Sequence, residues 1–362
     1  MTAAFLAILQ DPVRAKSHPN NFMKFLASPQ SRRRVRQFFF LLGLALFVYL
    51  VVRLKPAVLL EYLRTVGWNF GWILLVSLFW YLAYALAWEI FLKNLSRRVR
   101  LWDILKIKVA GEAINSITPL SWGGGDPARV LMLKDHIPVT EGTASVVVDR
   151  TLNNLAIALF MLIGVVITLV KFPLSPTLEI GLPLVLLIFV GASVFLYYRS
   201  HEGLFAFILD LLKKLRIKKT FSEKTENQVR EIDGHISRFY KMNRKGFLAA
   251  FALHFFGRLC GVAELYLAAL FLGHPVGWLD AYLLASVTVI INMVFVFVPG
   301  TLGVMEGAFA GIFALLKLDP AVGTSIQIVR RTRMLCWTAI GFVIMARMRG
   351  GETPRPGTVD KT

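Results

Sequence analysis

A chain of 362 residues that is 56% hydrophobic and 17% charged, with a mean hydropathy of +0.61, is too apolar for a soluble domain and carries apolar runs of membrane-spanning length. Its formal net charge of +19 would suit a nucleic-acid binder, but the basic residues are confined to alternate segments. Seven Arg or Lys stand against one acid in 1–37, six against one in 93–108 and twelve against six in 199–245, whereas 53–69 has three against one and 172–178 and 273–278 have none. This is the positive-inside pattern of a multi-pass membrane protein, so the charge reports topology and anionic-lipid contact, and nucleic acid is not expected as a partner.

In chain order, residues 1–37 are a basic segment expected on the cytoplasmic side. No short apolar stretch with a small-residue cleavage site occurs there, so the first apolar run reads as a retained span. Spans are expected at about 38–55, 70–92, 143–171, 177–198, 246–272 and 325–347. The connector 199–245 is expected in the cytoplasm, with "GLFAFILDLLKKLRIKK" as a helix on the membrane surface and 222–245 as a charged, solvated helix. The tail 348–362 reads as disordered. Cys260 and Cys336 lie inside apolar segments and read as buried small hydrophobes, with no disulfide framework.

Two stretches interrupt the apolar pattern. "NSITPLSWGGGDPAR" (115–129) and "SVTVIINMVFVFVPGTLGVMEGAFAGIFALL" (286–316) carry Pro and Gly at membrane depth. They match in spacing: Pro119, Gly123 and Asp126 in the first correspond to Pro299, Gly303 and Glu306 in the second, each 180 residues on. Glu89 and Glu264, Trp102 and Trp278, Asn115 and Asn292, and Arg150 and Arg331 follow in the same order at offsets of 175, 176, 177 and 181. The fold expected is therefore all-α, with two inverted-topology repeats, 38–171 and 172–347, each of three spans plus a re-entrant hairpin. The alternative is that both stretches are loops between full spans, with 279–298 and 302–317 each crossing.

Irregular backbone is tolerated inside a membrane only where protein or water satisfies it, and ionisable side chains there are site candidates by default. Substrate-binding candidates are Arg150, Arg331, Arg129, Asn115, Asn292, Gly123, Gly124 and Gly303. The guanidinium fork suits phosphate oxygens, and glycine lets backbone N–H groups approach an anion. Asp126, Glu306, Asp149, Glu112 and Glu264 are candidate charge partners or coupling groups. Asn153, Asn154, Arg258, Gln327, Arg330 and Arg333 lie near them in the sequence. A reading without a ligand also stands: Arg150 and Arg331 pair with Asp126 and Glu306 simply to lock each hairpin. Gly257/Gly261 and Gly307/Gly311 have GxxxG spacing and suggest helix packing. "GGGD" is no dinucleotide motif and His201-Glu202 no zinc motif, so no cofactor, metal or catalytic residue is expected and the chain is not read as an enzyme.

"GEAINSITPLSWGGGDPARV", "VVDRTLNNLAIALFML" and "FVPGTLGVMEGAF" together resemble the lysylphosphatidylglycerol synthase transmembrane, or flippase-like, family over nearly the whole chain. The first motif departs from the family, with Gly-Gly-Asp-Pro-Ala-Arg where Gly-Glu commonly precedes the arginine; an acid, Asp126, and Arg129 are kept. The resemblance implies a domain that translocates an aminoacylated phospholipid in fused members. In stand-alone members it implies export of other lipids, hopanoids or lipid-linked sugars among them. With 15 residues after the last expected span, an aminoacyl transferase domain is not expected. The function expected is translocation of an anionic or phosphate-bearing lipid across a bacterial inner membrane. A non-transporting scaffold for a lipid-biosynthesis enzyme, held through 199–245, is the alternative.

Overall fold

The computed structural model describes residues 56–348 apart from 94, 96–97, 119–123, 172–174, 216–221, 243, 296–300, 302 and 316–317, together with Val48 and Val52. The span expected at 38–55, apart from Val48 and Val52, and Pro119, Gly123, Pro299, the segment 1–37 and the tail from 349 therefore lie outside the described residues. The described elements are helical, and the protein is an all-α polytopic membrane protein.

Helix α1 (Pro56–Val66) passes through one 3-10 turn at Gly67–Asn69, where Gly67 takes φ 57°, into α2 (Phe70–Leu92). The spans expected at 38–55 and 70–92 imply a loop between them. Proline at the first helical position and apolar residues at helical spacing instead start the helix there, and Ala57–Leu92 runs for 36 residues. After the basic turn come α3 (Leu101–Ile117), α4 (Gly125–Leu133) and α5 (Val139–Lys171). Next are α6 (Pro176–Glu202), α7 (Leu204–Lys214), α8 (Glu223–Met242) and α9 (Arg244–Phe271). The chain closes with α10 (Trp278–Val294), α11 (Val304–Leu315) and α12 (Pro320–Met348).

Among the described residues, four helical stretches are long and apolar enough to cross a membrane: Ala57–Leu92, Val139–Lys171, Glu179–Glu202 and Arg244–Phe271. α12 is 29 residues long but carries Arg330, Arg331 and Arg333 along its first half. At 17 and 12 residues, α10 and α11 each fall short of the roughly 20 residues that a crossing helix needs.

The packing is reciprocal. α2 lies along α9, with the Tyr84 ring 2.2 Å from where a β-carbon at Gly257 would stand. α3 lies on α12, where a β-carbon at Gly341 would come 2.5 Å from that of Ala113, and Ser116 and Thr338 share a 2.9 Å hydrogen bond. α10 lies on α5 in the same way: Gly164 faces Ser286, and the Tyr282 hydroxyl donates to the Phe160 carbonyl at 3.0 Å. Of the GxxxG glycines, Gly257 alone makes a close approach; Gly261, Gly307 and Gly311 meet nothing within 4 Å.

The connector differs from its expectation. α8 is charged on one side, but Val229, Ile232, Ile236, Phe239 and Tyr240 are buried, and the Phe239 ring sits 4.8 Å from that of Phe91. These apolar residues recur at helical spacing, and burying that stripe outweighs solvation of the whole helix. Asp233, on the same helix, accepts from the Phe205 and Ala206 N–H groups at 3.1 and 2.9 Å and so caps α7. Burial pushes its carboxyl above the usual range while the two N–H groups draw it back. Asp233→Ala is expected to cost about 1 kcal/mol and to loosen α7 first, seen as faster hydrogen exchange in 204–214 than in α8.

Candidate functional site

The first cluster forms where the broken segment α3–α4 meets α5. Lys108, Glu112 and Asn115 recur at four- and three-residue steps and so share one face of α3. Asn115 closes the break: its Oδ1 accepts the Gly125 N–H at 2.9 Å and its amide donates to Glu112 at 3.4 Å. α4 rests so closely on α3 that a β-carbon at Gly125 would fall 2.3 Å from the Gly111 carbonyl oxygen.

Asp149 and Arg150 are consecutive on α5, about 100° apart around the helix, and so reach different partners. Arg150 binds Asp126 through two bonds of 2.8 and 2.7 Å, the bidentate fork expected of a guanidinium on a carboxylate. Asp149 is held by Lys108 at 2.7 Å to each oxygen and by Arg129 Nη1 at 3.3 Å. The same Nη1 stands 3.4 Å from Asp126, so Arg129 bridges the two acids, while its Nη2 lies 4.0 Å from Glu112. Lys108, Arg129, Asp126 and Asp149 are buried; Arg150 keeps 28% of its side chain exposed and Glu112 49%. The cluster is thus closed on one side and open on the other. Arg258 of α9 donates to Asn153 at 2.9 Å and meets no carboxylate among the described residues.

The second cluster forms at the break between α10 and α11. Glu306, in the first turn of α11, accepts the Gly303 N–H at 2.8 Å and receives both arms of Arg331, one to Oε1 and one at 3.1 Å to Oε2. Arg331 also donates to the Thr301 carbonyl at 2.9 Å, and the Thr301 hydroxyl bonds Asn292 at 3.3 Å. Thr301 has φ 49°, costly for a β-branched residue, and these two contacts hold it there. Glu264 of α9 accepts from Arg333 at 2.7 Å and lies 3.7 Å from Arg330, which reaches Gln327 at 3.2 Å.

Each break therefore carries an acid on its return helix, gripped at both oxygens by an arginine of the next helix. Asn115 and Asn292 each tie their break shut, and the Gly125 and Gly303 amides are both engaged inside their own hairpins. Gly124 takes φ −108° and packs near Ile114 and Thr118. Asn154 is half-buried on α5, beyond the ion pairs.

Sequence reasoning missed Lys108, counted with the basic loop although it is 3% exposed, and His254, 1% exposed beside Asp149. The signal for Lys108 was its helical spacing to Glu112. Also missed was an aromatic row on α2. Trp80, Tyr84 and Trp88, four residues apart, lie against Arg333 at 4.3 Å, Arg258 at 5.6 Å and Lys108 at 5.3 Å respectively. Cations held on ring faces in a dry interior gain on the order of 2 kcal/mol each.

A family model described as the lysylphosphatidylglycerol synthase TM region matches residues 40–341. The chain is similar to a UPF0104 membrane protein of Pyrococcus horikoshii, 23% identical over 284 residues that cover 74% of this chain and 83% of that one. It is also similar to a UPF0104 membrane protein of Methanothermobacter thermautotrophicus, 23% identical over 261 residues covering 68% and 75%. No solved structure matches. With the match running through both clusters and the helices that build them, the chain belongs to the lysylphosphatidylglycerol synthase transmembrane-region family.

Proposed function

We propose that the protein moves an anionic or phosphate-bearing lipid across the cytoplasmic membrane by alternating access between two inverted halves, with both termini in the cytoplasm, and that it is a transporter, not an enzyme. The observation that carries this reading is the repetition of one device: Asp126 with Arg150, and Glu306 with Arg331, each an acid and arginine at a helix break. The reciprocal packing of α3 on α12 and of α10 on α5 supports a twofold relation between the halves, as in transporters whose sites form at paired broken helices.

Both clusters hold more cation than acid. Lys108, Arg129 and Arg150 pair with Glu112, Asp126 and Asp149, and Arg258 stands beside them on Asn153 without a carboxylate among the described residues; Arg330, Arg331 and Arg333 face Glu264 and Glu306. One positive charge is left over in each, and a phosphate group would balance it. A bidentate arginine can pass from carboxylate to phosphate oxygens without losing its geometry. The acid thus keeps the arginine paired while no lipid is present, and the polar break spares the head group a passage through hydrocarbon. The alternative of a scaffold acting through the basic residues of 199–245 would use the charged face of α8, since its apolar face is turned into the protein's own core.

The test is native mass spectrometry of the detergent-purified protein beside Arg150→Ala/Arg331→Ala. A retained anionic lipid should bind the double variant on the order of a hundredfold more weakly, as losing two charge-assisted contacts implies. Equal retention by both proteins would refute the assignment of these arginines.

A further inference from the structure

His254 sits on α9 at 1% exposure, and neither ring nitrogen has a hydrogen-bond partner among the described residues. Its Nε2 stands 3.3 Å from Asp149 without the alignment of a hydrogen bond. The groups facing it are Asp149 from α5, Lys108 from α3, Arg258 one turn further along α9, and the Tyr84 ring of α2 at 5.2 Å; Arg129 of α4 lies on the far side of Asp149. A fully buried imidazole whose Nδ1 has no partner among the described residues and whose Nε2 has only a poorly aligned carboxylate falls short of the bonding usual for buried polar groups.

Resting on the anionic-lipid reading above, we propose that His254 is the site of a coupling proton, taken up together with the anionic head group. A proton on the imidazole turns Nε2 into a charged donor aimed at Asp149, which already serves Lys108 and Arg129. Asp149 then needs Arg129 less. Arg129 Nη1, suspended between Asp149 at 3.3 Å and Asp126 at 3.4 Å, passes to Asp126. Asp126 is the acid that occupies Arg150, so the half-exposed Arg150 fork is released toward the open side of the cluster, where a phosphate can take it. The charge count gives the same result independently. The cluster already holds one cation more than it has carboxylates, so a proton alone worsens the imbalance and an anion alone corrects it. Together they leave the charge as it was, and each favours the entry of the other by the same factor. The one bond made and later broken is the imidazole N–H; its proton enters from the side to which the cluster is open and leaves with the lipid on the other.

The experiment measures binding of dihexanoyl-phosphatidylglycerol, whose phosphodiester does not titrate near neutrality, to the full chain in neutral-lipid nanodiscs, with empty discs subtracted. Between about pH 8 and about pH 5.5 the wild type should bind about tenfold more tightly at the acid end, within the range of single-site coupling, and His254→Gln should be flat. Equal slopes in both proteins, or wild-type binding without a slope, overturn the proton site and leave the anion reading standing. Absence of wild-type binding at every pH overturns the anion reading and this inference with it. Should the glutamine variant fail to fold, the imidazole nitrogen spectrum of the wild type decides. Among its six histidines, one signal turning from neutral to charged on addition of the probe near neutral pH sustains the site; six unmoved signals overturn it.

Discussion

Replacing Asp149 by leucine is expected to destabilise the protein by about 3–5 kcal/mol, more than any other single charge removal. Asp149 is 4% exposed and neutralises Lys108 directly, with Arg129 and His254 leaning on the same carboxylate. Without it, a buried ammonium on α3 is left facing the Trp88 and Tyr84 rings as its remaining support. The cost should fall sharply in the double variant Lys108→Met/Asp149→Leu, since replacing a buried ion pair with apolar residues of similar volume is often close to neutral. Thermal unfolding in one detergent, read as a double-mutant cycle, checks this. A double variant as unstable as the single one would mean that the carboxylate does something other than neutralise Lys108.

The second large effect concerns shape. Gly125→Ala places a methyl group 2.3 Å from the Gly111 carbonyl and 2.4 Å from the Asn115 side-chain oxygen. Gly323→Ala places one 2.5 Å from the Phe309 carbonyl, at the contact of α12 with α11. Backbone atoms cannot step aside as a flexible side chain can, so each change should cost about 3 kcal/mol and open its hairpin. Gly307→Ala and Gly311→Ala meet nothing within 4 Å and lie inside α11, so they should be neutral or stabilise by up to about 1 kcal/mol. The four variants measured side by side test whether the breaks, and not glycine content, hold the clusters together. Equal losses in all four would sink that claim.

The long apolar runs were readable because a membrane span must be apolar for about 20 residues, and α2, α5, α6 and α9 each announce themselves that way. Arg150, Arg331, Asp126 and Glu306 stood out for the opposite reason, as charges where charge is costly. Lys108 and His254 did not. Lys108 follows four basic residues of the preceding turn and Lys106 of its own helix, and only the fold shows that α3 carries it into the interior. A lone histidine in an apolar helix has no sequence partner; Asp149 is 105 positions away. The burial of α8 was hidden because its charges dominate its composition, although its apolar stripe recurs at helical spacing. The strain at Thr301 has no sequence signature beyond the neighbouring Pro-Gly.

The order of the charged partners along the chain bears on how the protein enters the bilayer during synthesis. An arginine at the centre of an isolated helix costs roughly 2.5–3.5 kcal/mol to insert, and α12 brings three within four residues. Its acids, Glu264 on α9 and Glu306 on α11, are both translated before it. The same holds for α5, whose Asp149 and Arg150 follow Lys108, Asp126 and Arg129 in the chain. The arginines of α12 and α5 thus emerge from the ribosome after the acids that pair with them, whereas Lys108 of α3 must wait for Asp149 of α5.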